Sequence, residues 1–139
     1  MSILGHHVSR TVLARTAATV VAVMLLAALL PALTAKPTRE IVLVTSGMAF
    51  YIEGDAGTPN PTIEVKAGER VRFVVRNQDR GMTHDFAVPA VAAAMDAIRW
   101  NQSGDVTFDV PDTPGTYQYE CRPHRLMMRG LLRVYRRPA

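Results

Sequence analysis

One cysteine in 139 residues leaves no partner for a disulfide. Nor is there a C-x2-C pair of the kind on which a structural zinc site usually spends its cysteines. A dinuclear centre bridged by two thiolates is excluded on the same ground. The chain has no Gly-rich phosphate loop, no internal repeat, no low-complexity stretch, and no Ser, His and Asp beyond scattered single residues. Its four histidines are too few to furnish a second, histidine-rich metal site. Acidic residues are missing from both ends: none precedes Glu40 and none follows Glu120.

The first of those acid-free ends has the pattern of an export segment. Arg10 and Arg15 precede an uncharged stretch over residues 16–35, within which residues 17–30 are almost wholly Ala, Val, Leu and Met. Basic residues followed by an apolar run direct a chain across the cytoplasmic membrane. Pro31 can break a helix just before Ala32-Leu33-Thr34-Ala35, which suits cleavage after Ala35, yet the run is nearly long enough to span a bilayer uncut. Residues 1–35 are therefore expected to be a signal peptide or an N-terminal membrane-anchor helix. Residues 36–139 are expected to form one domain outside the cytoplasm, in the periplasm or on the outer face of the bacterial cytoplasmic membrane. His6 and His7 would lie on the wrong side to serve that domain. Two of the 16 basic residues precede Lys36, and the remainder barely exceed the 12 acidic ones, so an exported domain of this balance is a poor nucleic-acid binder. Its aliphatic content is sufficient for a core without disulfide support.

What the chain does have is a concentration of soft ligands. Cys121-Arg122-Pro123-His124-Arg125-Leu126-Met127-Met128 places a thiol, an imidazole and two thioethers within eight residues, and His84 lies upstream in Met82-Thr83-His84-Asp85-Phe86. A lone cysteine is ordinarily a small buried hydrophobe, and a lone histidine a satisfied polar residue. Two His, one Cys and a distant Met together make the ligand set of a mononuclear blue-copper electron-transfer centre. His84 comes from a different part of the chain, so the site would exist only once the fold does. By spacing alone, Met127 and Met128 both qualify as the thioether.

From residue 40 onward the periodicity is that of strands. Runs at 40–45 (EIVLVT), 49–53, 62–66 (TIEVK), 69–78 (ERVRFVVRNQ), 84–88, 105–110 (DVTFDV), 116–120 (TYQYE) and 131–135 (LLRVY) are separated by turn residues at 54–55, 59–61, 67–68, 104–105 and 114–115. In the fourth run Val71, Phe73 and Val75 share one face. So many short strands in about a hundred residues predict an all-β, antiparallel Greek-key sandwich. The Ala-rich stretch 90–100 (AVAAAMDAIRW) predicts one short helix or helical turn.

These motifs, in this order, resemble the cupredoxins, the type 1 blue copper proteins of the plastocyanin, amicyanin and azurin kind. The resemblance rests on T-I-E-V-K-A-G-E-R-V at 62–71, H-D-F at 84–86, P-G-T-Y-Q-Y-E-C at 114–121, and C-x2-H followed by M-x-G at Cys121, His124, Met128 and Gly130. It implies a two-sheet Greek-key sandwich and one copper ion cycling between Cu(I) and Cu(II). The implied ligands are His84, Cys121, His124 and an axial methionine, and the M-x-G register selects Met128 over Met127. Asp85 stands where plastocyanin-like members often have Asn, which helps tie the two ligand loops. Asp85 can accept hydrogen bonds there but cannot donate while ionised. Pro123, between two implied ligands, has no backbone N–H to offer the sulfur.

The function implied is transfer of single electrons between redox partners, by a monomer that is not an enzyme. The alternative is an exported copper carrier that delivers the ion to a cell-envelope enzyme. Arg122, Arg125, Arg129, Arg133, Arg136 and Arg137 suggest a basic end suited to an acidic redox partner or an anionic membrane surface, with residues 16–35 a possible further membrane contact.

Overall fold

The computed structural model describes Arg15, residues 18–28 and residues 36–136. Most of the expected signal or anchor segment, with its cleavage point after Ala35, lies outside these. Within it, residues 18–28 are helical. No helix among the described residues is long and apolar enough to cross a membrane.

Residues from Lys36 onward form a compact unit of their own. Its strands are β1 (Thr38–Ser46), β2 (Ala49–Ile52), β3 (Ile63–Lys66), β4 (Arg70–Asn77), β5 (Ala87–Val88), β6 (Ala93–Ala94), β7 (Ser103–Asp109), β8 (Gly115–Glu120) and β9 (Arg129–Tyr135). One sheet has the order β2-β1-β4-β7 and the other β3-β9-β8-β5-β6. The sandwich is as expected, but the sheets are mixed rather than antiparallel. β1 runs parallel to β4, with Ile41 opposite Phe73, and β3 runs parallel to β9, with Val65 opposite Val134. Alternation of period two is the same in both pairings, so the one-dimensional pattern could not tell them apart.

Alternate residues of each strand meet between the sheets: Ile41 and Leu43 of β1, Val71, Phe73 and Val75 of β4, Ile63 and Val65 of β3, Leu132 and Val134 of β9. At one end the filling becomes aromatic. Phe86 stacks on Phe73 at 4.6 Å and on Tyr119 at 5.3 Å, and Phe50 meets Phe86 edge-on at 5.7 Å. This cluster belongs to the same buried core as Cys121 and Met128.

Of the short helix or helical turn expected over 90–100, only the turn is present, at the start of the stretch. A single 3-10 turn at Pro89–Val91 stops at Ala92, whose φ is 51°, and the chain then extends through β6 to a bridge between Ile98 and His84. Eleven residues make a marginal helix even when rich in Ala. Here the stretch gains more by burying Ala93, Met95 and Ile98 and by pairing its amides, Met95 N with Phe86 O and Ile98 N with His84 O. The expected strand over 84–88 is correspondingly split between that bridge and β5.

Gly130 explains the glycine of the M-x-G motif. The Tyr119 ring lies across it on the neighbouring strand, where the two residues are paired, and a Cβ at 130 would run into the ring. Tyr119 cannot easily retreat, because it is fully buried and its hydroxyl donates to Pro61 O at 2.7 Å. Burial also pushes that hydroxyl's pKa well above the usual tyrosine value. Gly130→Ala should therefore destabilise the metal-free protein by about 1–3 kcal/mol, as overpacking does. Urea denaturation should show a lower midpoint with unchanged slope, and a midpoint equal to that of the parent would mean that the ring moves aside freely.

Candidate metal centre

Cys121 follows the last residue of β8, where ladder bonds to β9 hold the backbone, and its side chain is fully buried. The chain then turns at once. A 3-10 turn, Arg122–His124, is closed by His124 N donating to Cys121 O at 3.0 Å, and Met128 N returns to His124 O at 2.9 Å. Cys121 N in turn donates to Met128 O at 2.9 Å, so the loop from 121 to 128 is tied back onto its own start. Met128 is thereby carried inward to zero exposure while Met127, one residue earlier, is 60 % exposed. Spacing left the two methionines open, and burial separates them.

His84 arrives from the opposite direction. Its backbone is clamped to Ile98 by bonds of 3.0 and 2.8 Å, and its ring is fully buried. Asn77, at the end of β4, sets the approach: its Nδ2 donates to Met82 O and Ile98 O, and its Oδ1 accepts from Thr45 Oγ1 at 3.0 Å. The whole group is buried and satisfied, which keeps such polar atoms from costing stability in a core.

The three strong donors converge. One ligand atom from each of His84, Cys121 and His124 lies within 4.8 Å of the others, and Cys121 Sγ is 3.7 Å from Nδ1 of both histidines. A first-row metal takes imidazole at about 2.0 Å and thiolate at about 2.3 Å, and two such bonds meeting near 120° span about 3.7 Å. The donors therefore fit a single ion held in a His2Cys trigonal arrangement, with a buried thioether nearby. Burial favours the neutral forms of Cys121 and His84. It raises the Cys121 pKa, against the opposing pull of the Asp85 and His124 backbone amides, and it lowers that of His84, with Asp79 opposing. A thiol so held gives up its proton to a metal, so binding is coupled to proton release.

Three residues at this site carried no distinctive signal in the sequence. Asn60 donates from Nδ2 to Met127 O at 3.0 Å, so the proline-flanked turn at 59–61 braces the ligand loop. Asp79, five residues before His84, places Oδ2 3.0 Å from His84 Nε2. Arg122 closes on Asp85: its amide donates to Oδ1 at 2.7 Å and its Nε to Oδ2 at 2.6 Å, and a further guanidinium nitrogen donates to Met95 O at 2.9 Å. Asp85 thus links the two ligand-bearing segments purely as an acceptor, with Arg122 supplying both donors and the balancing charge.

That pairing revises the expected basic end. Arg122 is turned back onto Asp85, and Arg133 pairs with Glu64 at 3.2 Å. At about 3.3 Å per residue along β9, Arg133 and Arg136 are carried well away from the ligand loop. Arg137 lies outside the described residues. Arg125 and Arg129 stay beside the loop, exposed and without an ion pair among the described residues.

Among curated proteins, none matches the chain significantly. Solved structures do resemble it. Auracyanin B superposes with a TM-score of 0.59 at 23% identity, covering 73% of this chain and 92% of its own. Auracyanin A of Chloroflexus aurantiacus, described as a "blue" copper protein, gives 0.53 at 20%, covering 71% of this chain and 100% of its own. Rusticyanin of Thiobacillus ferrooxidans gives 0.52 at 22%, covering 73% and 79%. At these identities the likeness speaks for the fold. The model of the cupredoxin-like domain matches residues 17–134, which is most of the chain. Cupredoxins bind one copper ion, and His84, Cys121, His124 and Met128 are placed to form a site for it. By the length of that match, the chain belongs to the cupredoxin-like family.

Proposed function

We propose that this protein is a mononuclear type 1 copper protein that carries single electrons between redox partners outside the cytoplasm. In this reading His84 Nδ1, His124 Nδ1 and Cys121 Sγ hold the ion, and Met128 is the axial thioether. The observation that carries it is the convergence of the three donors at 3.7 Å around a buried sulfur. Copper bound there supplies one electron site, alternating between Cu(I) and Cu(II). The chain's part is to keep the donors in place in both states. Cys121 is fixed by the β8–β9 ladder, His84 by its bridge to Ile98, and the two segments by Asp85, so little has to move when the charge changes.

Burial also bears on the alternative, an exported carrier that hands copper on. Such a protein works with exposed, weakly coordinating sites from which the ion can leave. Here His84, Cys121 and Met128 have no exposure, which supports retention. A copper enzyme would need a second, open site with further histidines, and a single centre takes both His84 and His124. We therefore read the protein as an electron carrier rather than a copper carrier or an enzyme, working as a monomer. Placement outside the cytoplasm rests on the export pattern of residues 1–35, whether that segment is removed or kept as an anchor.

His124 is the one strong donor that reaches the surface. Around it Leu126 is 86 % exposed and Met127 60 %, with Pro123 also exposed. This apolar patch suits close approach of a partner, and Arg125 and Arg129 at its margin favour an acidic one.

Cys121→Ser should fold, by circular dichroism, yet lose the intense visible thiolate-to-copper band; a variant that kept the band would remove Cys121 from the site. Met128→Gln should lower the reduction potential, since an amide oxygen is a harder donor that favours Cu(II), and Met127→Gln should change it far less. Equal or reversed shifts in voltammetry would put the axial role on Met127. Reversing Arg125 and Arg129 to Glu together should slow oxidation of the reduced protein by anionic hexacyanoferrate several-fold at low salt. The difference should fade near 1 M salt, where the screening length is only about 3 Å. Equal stopped-flow rates at low salt would move the exchange surface away from this loop.

A further inference from the structure

Asp79 belongs to no motif, yet two backbone N–H groups and one imidazole nitrogen face its carboxylate. Gly47 N donates to Oδ1 at 2.7 Å, Met48 N to Oδ2 at 3.3 Å, and His84 Nε2 lies 3.0 Å from Oδ2. The first two come from the two-residue turn between β1 and β2, where φ is 57° at Gly47 and 62° at Met48. That is the left-handed pair a tight hairpin requires, and it costs a residue such as Met roughly 1–2 kcal/mol. The strained turn aims both its amides at one carboxylate. From the other side, Asp79 N donates to Asn77 Oδ1 at 2.8 Å, which ties the residue to the buried Thr45–Asn77 pair. The side chain of Asp79 is only 15% exposed.

A carboxylate suits this surrounding, because both backbone groups facing it can only donate and it can only accept, from the imidazole as well, when ionised. An asparagine would have to turn its NH2 toward either His84 or Gly47 N. An ionised carboxylate also requires the proton of His84 to sit on Nε2, which leaves the Nδ1 lone pair directed at the position shared with Cys121 Sγ and His124 Nδ1. We propose that Asp79 is a positioning residue for the metal centre: held by the β1–β2 turn, it fixes His84 as the Nε2–H tautomer and sets a negative charge behind that ligand. The charge stabilises the more positive, oxidised state of the centre, and the fixed tautomer stabilises metal binding in either state. The inference rests on the copper reading of the site, but its effect on His84 is present with or without the metal.

The test uses the full chain and its Asp79→Asn and Asp79→Ala variants. In metal-free parent protein, nitrogen-15 spectra of the imidazoles should show His84 as the Nε2–H tautomer, and finding the proton on Nδ1 would overturn the proposal even if neither variant folds. Zn(II) binding, read by competition with a chelator, should weaken about 10–100-fold in both variants, the usual cost of losing such a support. Copper-loaded Asp79→Asn should keep its visible band but show a higher reduction potential, because the charge is gone. Zinc affinity and potential both equal to the parent's would overturn the proposal. Should the parent show no visible band with copper, the copper reading fails, while the tautomer and the zinc affinity still decide the role of Asp79.

Discussion

The bond of 2.7 Å from the Arg122 amide to Oδ1 of Asp85 joins the residue after one metal-site cysteine to the residue after one metal-site histidine. Together with the pairing of Ala87 with Glu120, that link ties the donors of the two segments to each other. It costs little, because the Arg122 guanidinium supplies the second hydrogen bond and the countercharge to a carboxylate that is almost wholly buried. An unpaired charge at such depth would be expensive. With the pair in place, the segment from 84 to 86 and the turn from 121 to 124 behave as one piece. The remaining supports, Asn60 against the ligand loop and Asn77 beneath the approach to His84, refine what Asp85 has already joined.

Two carboxylates therefore flank His84 with different duties. Asp85 faces the other ligand segment and is neutralised by an arginine. Asp79 faces the remote nitrogen of the ring and is held by backbone amides of a hairpin turn. In the proposed role of Asp79, the second sets a negative charge beside the ligand set. A centre with one charged support behind a histidine and a neutralised link beside a cysteine has its electrostatics set by the chain as well as by its ligands. The stack of Phe73, Phe86 and Tyr119, all fully buried, lies in the same core as Cys121 and Met128.

The surface around the site follows from the same pairing. Arginines crowd the last segment, yet among the described residues Arg122 and Arg133 are each paired with an acid. Arg122 is folded back, Arg133 is carried along β9 to Glu64, and the two that remain by the loop border an apolar patch built from Pro123, Leu126 and Met127.

Much of this was legible in one dimension. Cys121, His124 and Met128 lie within eight residues, and their chemistry is local. The strand runs and turns were also visible, because alternation and turn residues are short-range properties. Sequence alone determined the donor types available for a site, the sandwich class and the face of β4 that is buried. Tertiary structure decided the rest. The parallel pairing of β1 with β4 and of β3 with β9 depends on contacts between distant segments that leave the period unchanged. The stretch 90–100 gave up a marginal helix because Met95 and Ile98 found burial and partners in Phe86 and His84. Met128 rather than Met127 turned inward because the loop closes on Cys121 N. Asp79 and Arg122 acquired their roles only from what the fold set opposite them, since a carboxylate or a guanidinium in a sequence does not reveal which donors or acceptors it will meet.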